Sequence, residues 1–171
     1  MGHDPKQRRE QLKEILTANP FLPDRRLARH FDVSVQTIRL DRLALGIPGQ
    51  RTRTKQVAER AYQRLRAMGQ REVVGELIDL ELGKSAISIM EITPDMTFKH
   101  TGIARSLYIF AQADSLAICV IDADNVVTGI ANLKFKKQAR VGDRLIAKAQ
   151  VIRQKGQKFV VLVETRVKGE L

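Results

Sequence analysis

Gln36, Thr37, Arg39 and Arg42 are the residues whose types and spacing point most directly to a chemistry, the reading of nucleic-acid base edges. A carboxamide, a hydroxyl and two guanidinium groups supply donors and acceptors that match bases and phosphates, with arginine suited to guanine and glutamine to adenine. Val35 and Ile38, three apart, fall on an inward face and leave those four side chains to project elsewhere. Ser34 follows the short turn Asp32-Val33 and is a residue type that caps a helix by accepting from the free amides of its first turn; it is counted with the four among the candidate DNA contacts. Residues 31–43 therefore read as the turn and recognition helix of a helix-turn-helix. Taken alone, they could also be an amphipathic surface helix with two arginines.

The segments around them must hold that helix out. Residues 6–18 place Leu12, Ile15 and Leu16 at helical spacing, and Asn19-Pro20 ends the run. Asp24 is expected to cap a short second helix over residues 25–30, with Leu27, Ala28 and Phe31 facing the same small core. Three short helices in this order match a DNA-binding arrangement in which the last lies in the major groove. After Gly46-Ile47-Pro48-Gly49 comes a charged helical pattern and no β-hairpin signal, so no wing is expected. Arg51, Arg53 and Lys55 are then the candidates for a flexible basic arm that follows phosphates or enters a minor groove. For each one singly, solvated surface charge is the alternative.

Over residues 54–68, Val57, Ala61, Leu65 and Met68 recur at steps of four, four and three, which predicts an amphipathic linker helix closed by Gly69. A helix of this length is marginal alone and needs a partner for its apolar stripe. With two possible docking places it could act as a switch.

Charge divides the chain in the same place. Residues 1–71 carry 16 Lys+Arg against 7 Asp+Glu, whereas residues 72–171 carry 14 against 12, so the +11 net charge sits mainly in the first part and marks it for nucleic acid. The single cysteine, Cys119, lies in an apolar run and reads as a small buried hydrophobe in a reducing compartment. No apolar stretch reaches the ~18–20 residues of a membrane helix, and the start of the chain lacks a signal-peptide pattern, so a soluble cytoplasmic protein without a membrane partner is expected. One cysteine and three scattered histidines do not make a standard zinc site. P-loop and dinucleotide fingerprints are absent as well.

Residues 72–171 show an α+β pattern. Apolar runs at 73–82 and 86–92 flank a tight reversal at Gly83-Lys84. Residues 103–116, with Leu107, Phe110, Ala111 and Asp114 at three- and four-residue steps, predict a buried central helix. Runs at 117–121, 126–135, 145–152 and 159–167 complete an antiparallel sheet of five or six strands wrapped on it.

VSVQTIRLDRLALGIP resembles the recognition helix of DeoR-type regulators and, more closely, of the FapR family of repressors; NPFLPDRRLARHF upstream is similar to the same family. LKFKKQARVGDRLIAKAQVIRQKGQKFVVLVET, with its Val-Gly-Asp turn and alternating Leu145, Ala147, Ala149 and Val151, is similar to the closing strands of hot-dog domains, as is the residue order at Phe98 and over 102–122. The likeness implies a helix-turn-helix domain over 1–50, a basic amphipathic linker helix over 51–71 and a hot-dog effector and dimerisation domain over 72–171.

It further implies a homodimeric, cytoplasmic repressor of fatty-acid and phospholipid synthesis genes. Such a repressor binds double-stranded operator DNA and is released by malonyl-CoA or a related acyl-CoA or acyl-carrier-protein thioester, with no catalytic cofactor. By the same resemblance, Arg105 would hold the malonyl carboxylate and Phe98 would wall the acyl pocket. Ser106 stands where the family usually has glycine, and Asp114 where it usually has asparagine. An Arg105–Asp114 salt bridge is the structural alternative for Arg105. Asp114 also opens an enzymatic alternative, since hot-dog thioesterases place an acid on this helix to activate water or attack the thioester. A constitutive DNA-binding dimer with an inert sheet domain is the third reading.

Overall fold

The computed structural model describes residues 4–167 and divides after Glu59 into two compact units. In the first, α1 (Pro5–Ala18), α2 (Asp24–His30) and α3 (Val35–Ala44) enclose a core of Leu12, Leu16, Leu27, Ala28, Phe31 and Ile38. The Asp4 carboxylate accepts from the Lys6 amide at the start of α1, and Asn19 closes its end. The cap of α2 is Pro23 rather than Asp24, because the Asp24 carboxylate is engaged by Arg42 instead. Asp32, in the turn before α3, takes a left-handed φ of 52°, a conformation aspartate tolerates better than bulkier residues.

Ser34 is the N-cap of α3, its hydroxyl accepting from the Thr37 amide at 3.0 Å. Ser34→Ala should lower stability by about 1 kcal/mol, read as a fall in Tm of several degrees in a circular-dichroism melt. A shift below one degree would show that the cap is not needed.

Helix α4 (Gln50–Gln63) starts four residues before the expected linker helix and stops five before its expected end. No hairpin intervenes between α3 and α4, as the sequence predicts. Its first turns belong to the N-terminal unit, where Gln50 donates to the Phe21 carbonyl and Arg53 to three carbonyls. Its end belongs to the second unit, where Ala61 is buried, Tyr62 and Leu65 pack beside it, and the Tyr62 hydroxyl accepts from the Leu77 amide.

The second unit is a four-stranded antiparallel sheet, β1 (Glu76–Glu81), β2 (Ser85–Glu91), β3 (Arg144–Lys155) and β4 (Lys158–Val167), adjacent in that order, with α5 (Ser106–Cys119) laid on one face. Ala86 pairs with Ala149 and Ser88 with Ala147, so small side chains floor the sheet and let the helix come close. Leu116 and Val120 meet Leu77, Leu80 and the alanines.

That floor decides which face of α5 is buried. Gln112, Ser115, Leu116 and Cys119 point inward, while Leu107, expected inside, is 59% exposed. Gln112 donates to the Ser88 hydroxyl at 3.1 Å.

Two expected strands do not form. Residues 117–119 continue α5, since Leu116, Cys119 and Val120 keep helical spacing onto the core. Residues 126–135 form neither helix nor ladder, and Val127 and Ile130 are 89% and 88% exposed. The segment 132–139, β4 and the α5 side chains Ile109, Phe110 and Ala113 bound a groove of about 720 Å³.

Candidate functional site

The exposed side of α3 carries Gln36 and Arg39, with Val35 half-buried and Ile38 fully buried behind them. Thr37 is half-buried, its hydroxyl 2.9 Å from that of Ser34, so both residues serve the cap before they could serve a base. Leu40 and Leu43 are exposed on the same helix. Sequence reasoning passed over both, although apolar residues out of phase with the Val35–Ile38 stripe were the available signal. On a helix entering the major groove, such side chains can meet thymine methyl groups.

Arg42 is not part of this surface. It is buried, and its guanidinium donates to both Asp24 carboxylate oxygens, at 3.0 and 2.7 Å, and to the Ile47 carbonyl at 3.0 Å. Three donors consumed inside the unit tie α3 to α2 and to the chain after α3.

Arg53 is likewise withdrawn from DNA, donating to the carbonyls of Pro20, Pro48 and Leu22. Burial lowers its pKa, as does the nearby Arg42 charge, against the opposing pull of Asp24. The expected flexible arm is thus the first turns of α4, and Arg53 anchors it. Arg51 and Lys55 remain exposed there, with Lys55 Nζ 3.7 Å from the Glu59 carboxylate.

A second ionic clamp escaped sequence reasoning. Asp41, 2% exposed on α3, receives Arg8 Nε at 2.7 Å and Arg9 Nε at 2.8 Å from α1. Burial opposes its ionisation, but hydrogen bonds and charge from Arg8 and Arg9 outweigh that and hold its carboxyl below the usual range.

In the second unit, Arg105 precedes α5. Its Nη2 donates to the Asp95 carbonyl at 2.8 Å and to the Tyr108 hydroxyl at 2.6 Å, with the guanidinium carbon 4.8 Å from the Tyr108 ring centre. Its Nε is buried and has no partner. Tyr108, which the sequence did not single out, therefore orients this arginine from one turn into α5. Phe98 and Ser106 are exposed.

Asp114 accepts from the Thr128 hydroxyl and makes no ion pair with Arg105. Nine residues of helix separate the two, about 13 Å at 1.5 Å per residue, which is why the salt-bridge alternative fails. None of Phe98, Arg105, Ser106 and Asp114 borders the 720 Å³ groove.

Cys119 is buried beside Met68, and burial pushes its thiol up to about 11, so it is a protonated packing residue. Among the described residues, no group of three His, Cys, Asp or Glu side chains could hold a metal, and no helix is long and apolar enough to cross a membrane.

The family model of the thioesterase superfamily matches residues 103–170. An uncharacterised protein of Pyrococcus horikoshii, PH1136, superposes with a TM-score of 0.57 at 31% identity, over 63% of this chain and 82% of that one. Cj0977 of Campylobacter jejuni shares the fold with a TM-score of 0.58 at 23% identity, over 67% and 80% of the two chains. Fold and site together define a helix-turn-helix unit joined to a hot-dog unit.

"Transcription factor FapR" of Thermoanaerobacter sp. (strain X514) is 56% identical over 164 residues, 96% of this chain and 82% of the relative. The protein of the same name from Bacillus subtilis (strain 168) is 44% identical over 165 residues, 96% and 88% of the two chains. The chain belongs to the FapR family of transcription factors.

Proposed function

We propose that this protein is a sequence-specific DNA-binding repressor of fatty-acid and phospholipid synthesis genes, acting in the cytoplasm as a homodimer and released from its operator by malonyl-CoA or a related acyl thioester. The observation that carries the DNA reading is the division of labour on α3: Arg42 and Asp41 are locked into the unit while Gln36 and Arg39 stand free on the outer face.

A lone helix of this size reads few base pairs, and repressors gain affinity by pairing half-sites. Four exposed apolar side chains within nine residues, Val127, Ile130, Leu133 and Phe135, support self-association of the second unit. For the effector, Arg105 keeps Nε unused beside an Nη2 held by Tyr108 and Asp95, which leaves a pre-oriented guanidinium for a carboxylate.

Arg39→Ala tests the first part. It should cost about 1–3 kcal/mol on operator and narrow the gap between operator and unrelated duplex, measured by titration at fixed salt. Unchanged discrimination would remove α3 as the reader. A monomer in sedimentation at micromolar concentration, with full operator affinity, would defeat the dimer.

The thioesterase-superfamily match favours one further reading, hydrolysis of the thioester with Asp114 as the acid group. Sustained thiol release from malonyl-CoA that Asp114→Asn abolishes would establish it.

A further inference from the structure

Arg8, Arg42 and Arg66 each meet a carboxylate. Arg105, half-buried, meets none among the described residues; Asp95 gives it a backbone carbonyl and turns its own carboxylate to the Thr93 hydroxyl. Both hydrogens of Arg105 Nη2 are spent, one on Asp95 and one on Tyr108, while Nε is buried without an acceptor. A carboxylate arriving at Nε therefore finds no second free N–H beside it on the guanidinium, and its other oxygen needs a donor from elsewhere.

Tyr108 stands where that donor is needed. Three residues separate it from Arg105, so the two share one side of the first turn of α5, and the Tyr108 amide donates to the Arg105 carbonyl at 3.1 Å. Its ring packs on the cluster of Met90, Ile92, Ala104, Ala139 and Leu145, which fixes the position of the hydroxyl. The hydroxyl oxygen accepts from Nη2 at 2.6 Å, so its own proton is directed away from the guanidinium. That proton has no acceptor among the described residues. Two donors, one charged and one neutral, thus stand next to each other unused, and a buried donor left unpaired is costly.

We infer that Tyr108 is a specificity-determining residue of the effector site: its hydroxyl donates to one carboxylate oxygen of the acyl group while Arg105 Nε donates to the other. The inference rests on the reading of Arg105 as the partner of that carboxylate and adds the second donor. Acetyl-CoA, which has a hydrogen in place of the malonyl carboxylate, leaves both donors unpaired, and a site built to hydrogen-bond its ligand rejects the analogue that lacks the group.

The test is calorimetric titration of the full chain with malonyl-CoA and with acetyl-CoA. Tyr108→Phe keeps a ring beneath the guanidinium, now 4.8 Å from the ring centre, and removes the hydroxyl alone. It should weaken malonyl-CoA by about 10-fold, the worth of one charged hydrogen bond, and leave acetyl-CoA within about twofold. Tyr108→meta-fluorotyrosine separates contact from mere orientation. Fluorine makes the phenol a stronger donor and a weaker acceptor, so at about pH 6, where the phenol keeps its proton, malonyl-CoA should bind more tightly than to the wild type.

Weaker binding by the fluorinated protein would show that Tyr108 only accepts from Arg105, and overturns the inference. So does a folded Tyr108→Phe protein that keeps the full preference for malonyl-CoA; both outcomes leave the Arg105 reading in place. A wild type that binds malonyl-CoA no better than acetyl-CoA overturns the Arg105 reading, and the role of Tyr108 with it.

Discussion

Asp41→Ala should unfold the N-terminal unit or leave it barely stable, with a loss of about 3–5 kcal/mol. The carboxylate is buried and holds Arg8 and Arg9 of α1 against α3. Removing it leaves a nearly buried guanidinium facing an empty acceptor site in a medium that solvates charge poorly. Small domains have about 5 kcal/mol of stability to lose, so operator binding should fall with the fold.

The same group sets an acid limit. Its folded pKa is depressed, so its contribution to stability is fully present above the unfolded carboxylate value of about 3.9 and is lost as pH falls through the lower folded value. Urea unfolding followed by circular dichroism between pH 7 and pH 3 should show a fall for the wild type in the acid range that Asp41→Asn lacks. A loss under 1 kcal/mol for Asp41→Ala, with operator affinity intact, would show that the clamp is dispensable.

Arg105→Ala should separate sensing from DNA binding. Charged hydrogen bonds contribute about 1.5–3 kcal/mol each, so losing a two-point contact to a malonyl carboxylate should weaken the thioester by roughly 150-fold, about 3 kcal/mol. Operator affinity without ligand should stay at the wild-type value, because the Arg105 guanidinium donates to Asp95 and Tyr108, both in the second unit. Arg105→Lys should rescue little, since an ammonium lacks the planar fork. Calorimetric titration of malonyl-CoA together with operator displacement reads both quantities.

Release requires more than binding: the thioester must favour the DNA-incompetent arrangement, and equal affinity for both arrangements would shift nothing. Asp114, about 13 Å along the helix and beyond the Debye length of about 8 Å at physiological salt, should hardly alter effector affinity when changed to Asn. An Arg105→Ala protein that still leaves operator on adding malonyl-CoA would remove Arg105 from the sensor.

Much of the fold was legible in the chain because local physics writes it there. Ser34 after a two-residue turn, Leu12, Ile15 and Leu16 at helical steps, and Gly83 between two apolar runs each specify an element through contacts a few residues apart. The recognition helix and the central helix on an antiparallel sheet follow from such signals, and the basic surplus up to residue 71 marks the part suited to nucleic acid.

Which side chain does what was decided only in three dimensions. Arg39 and Arg42 differ little as residues, yet one is free and the other is spent on Asp24 and Ile47, partners 18 positions upstream and 5 downstream, outside α3. Arg53 reads as an arm residue until Pro20 and Leu22, more than 30 positions away, offer it carbonyls. The buried stripe of α5 does not follow apolar content, which puts Leu107 inside, because Gln112 finds the Ser88 hydroxyl on β2 and Ser115 accepts from the Val74 amide, so polar side chains can take the inward face. Residues 126–135 carry a strand pattern but form no ladder, since a strand is completed by its neighbour's hydrogen bonds and spacing along one chain does not say where that neighbour lies.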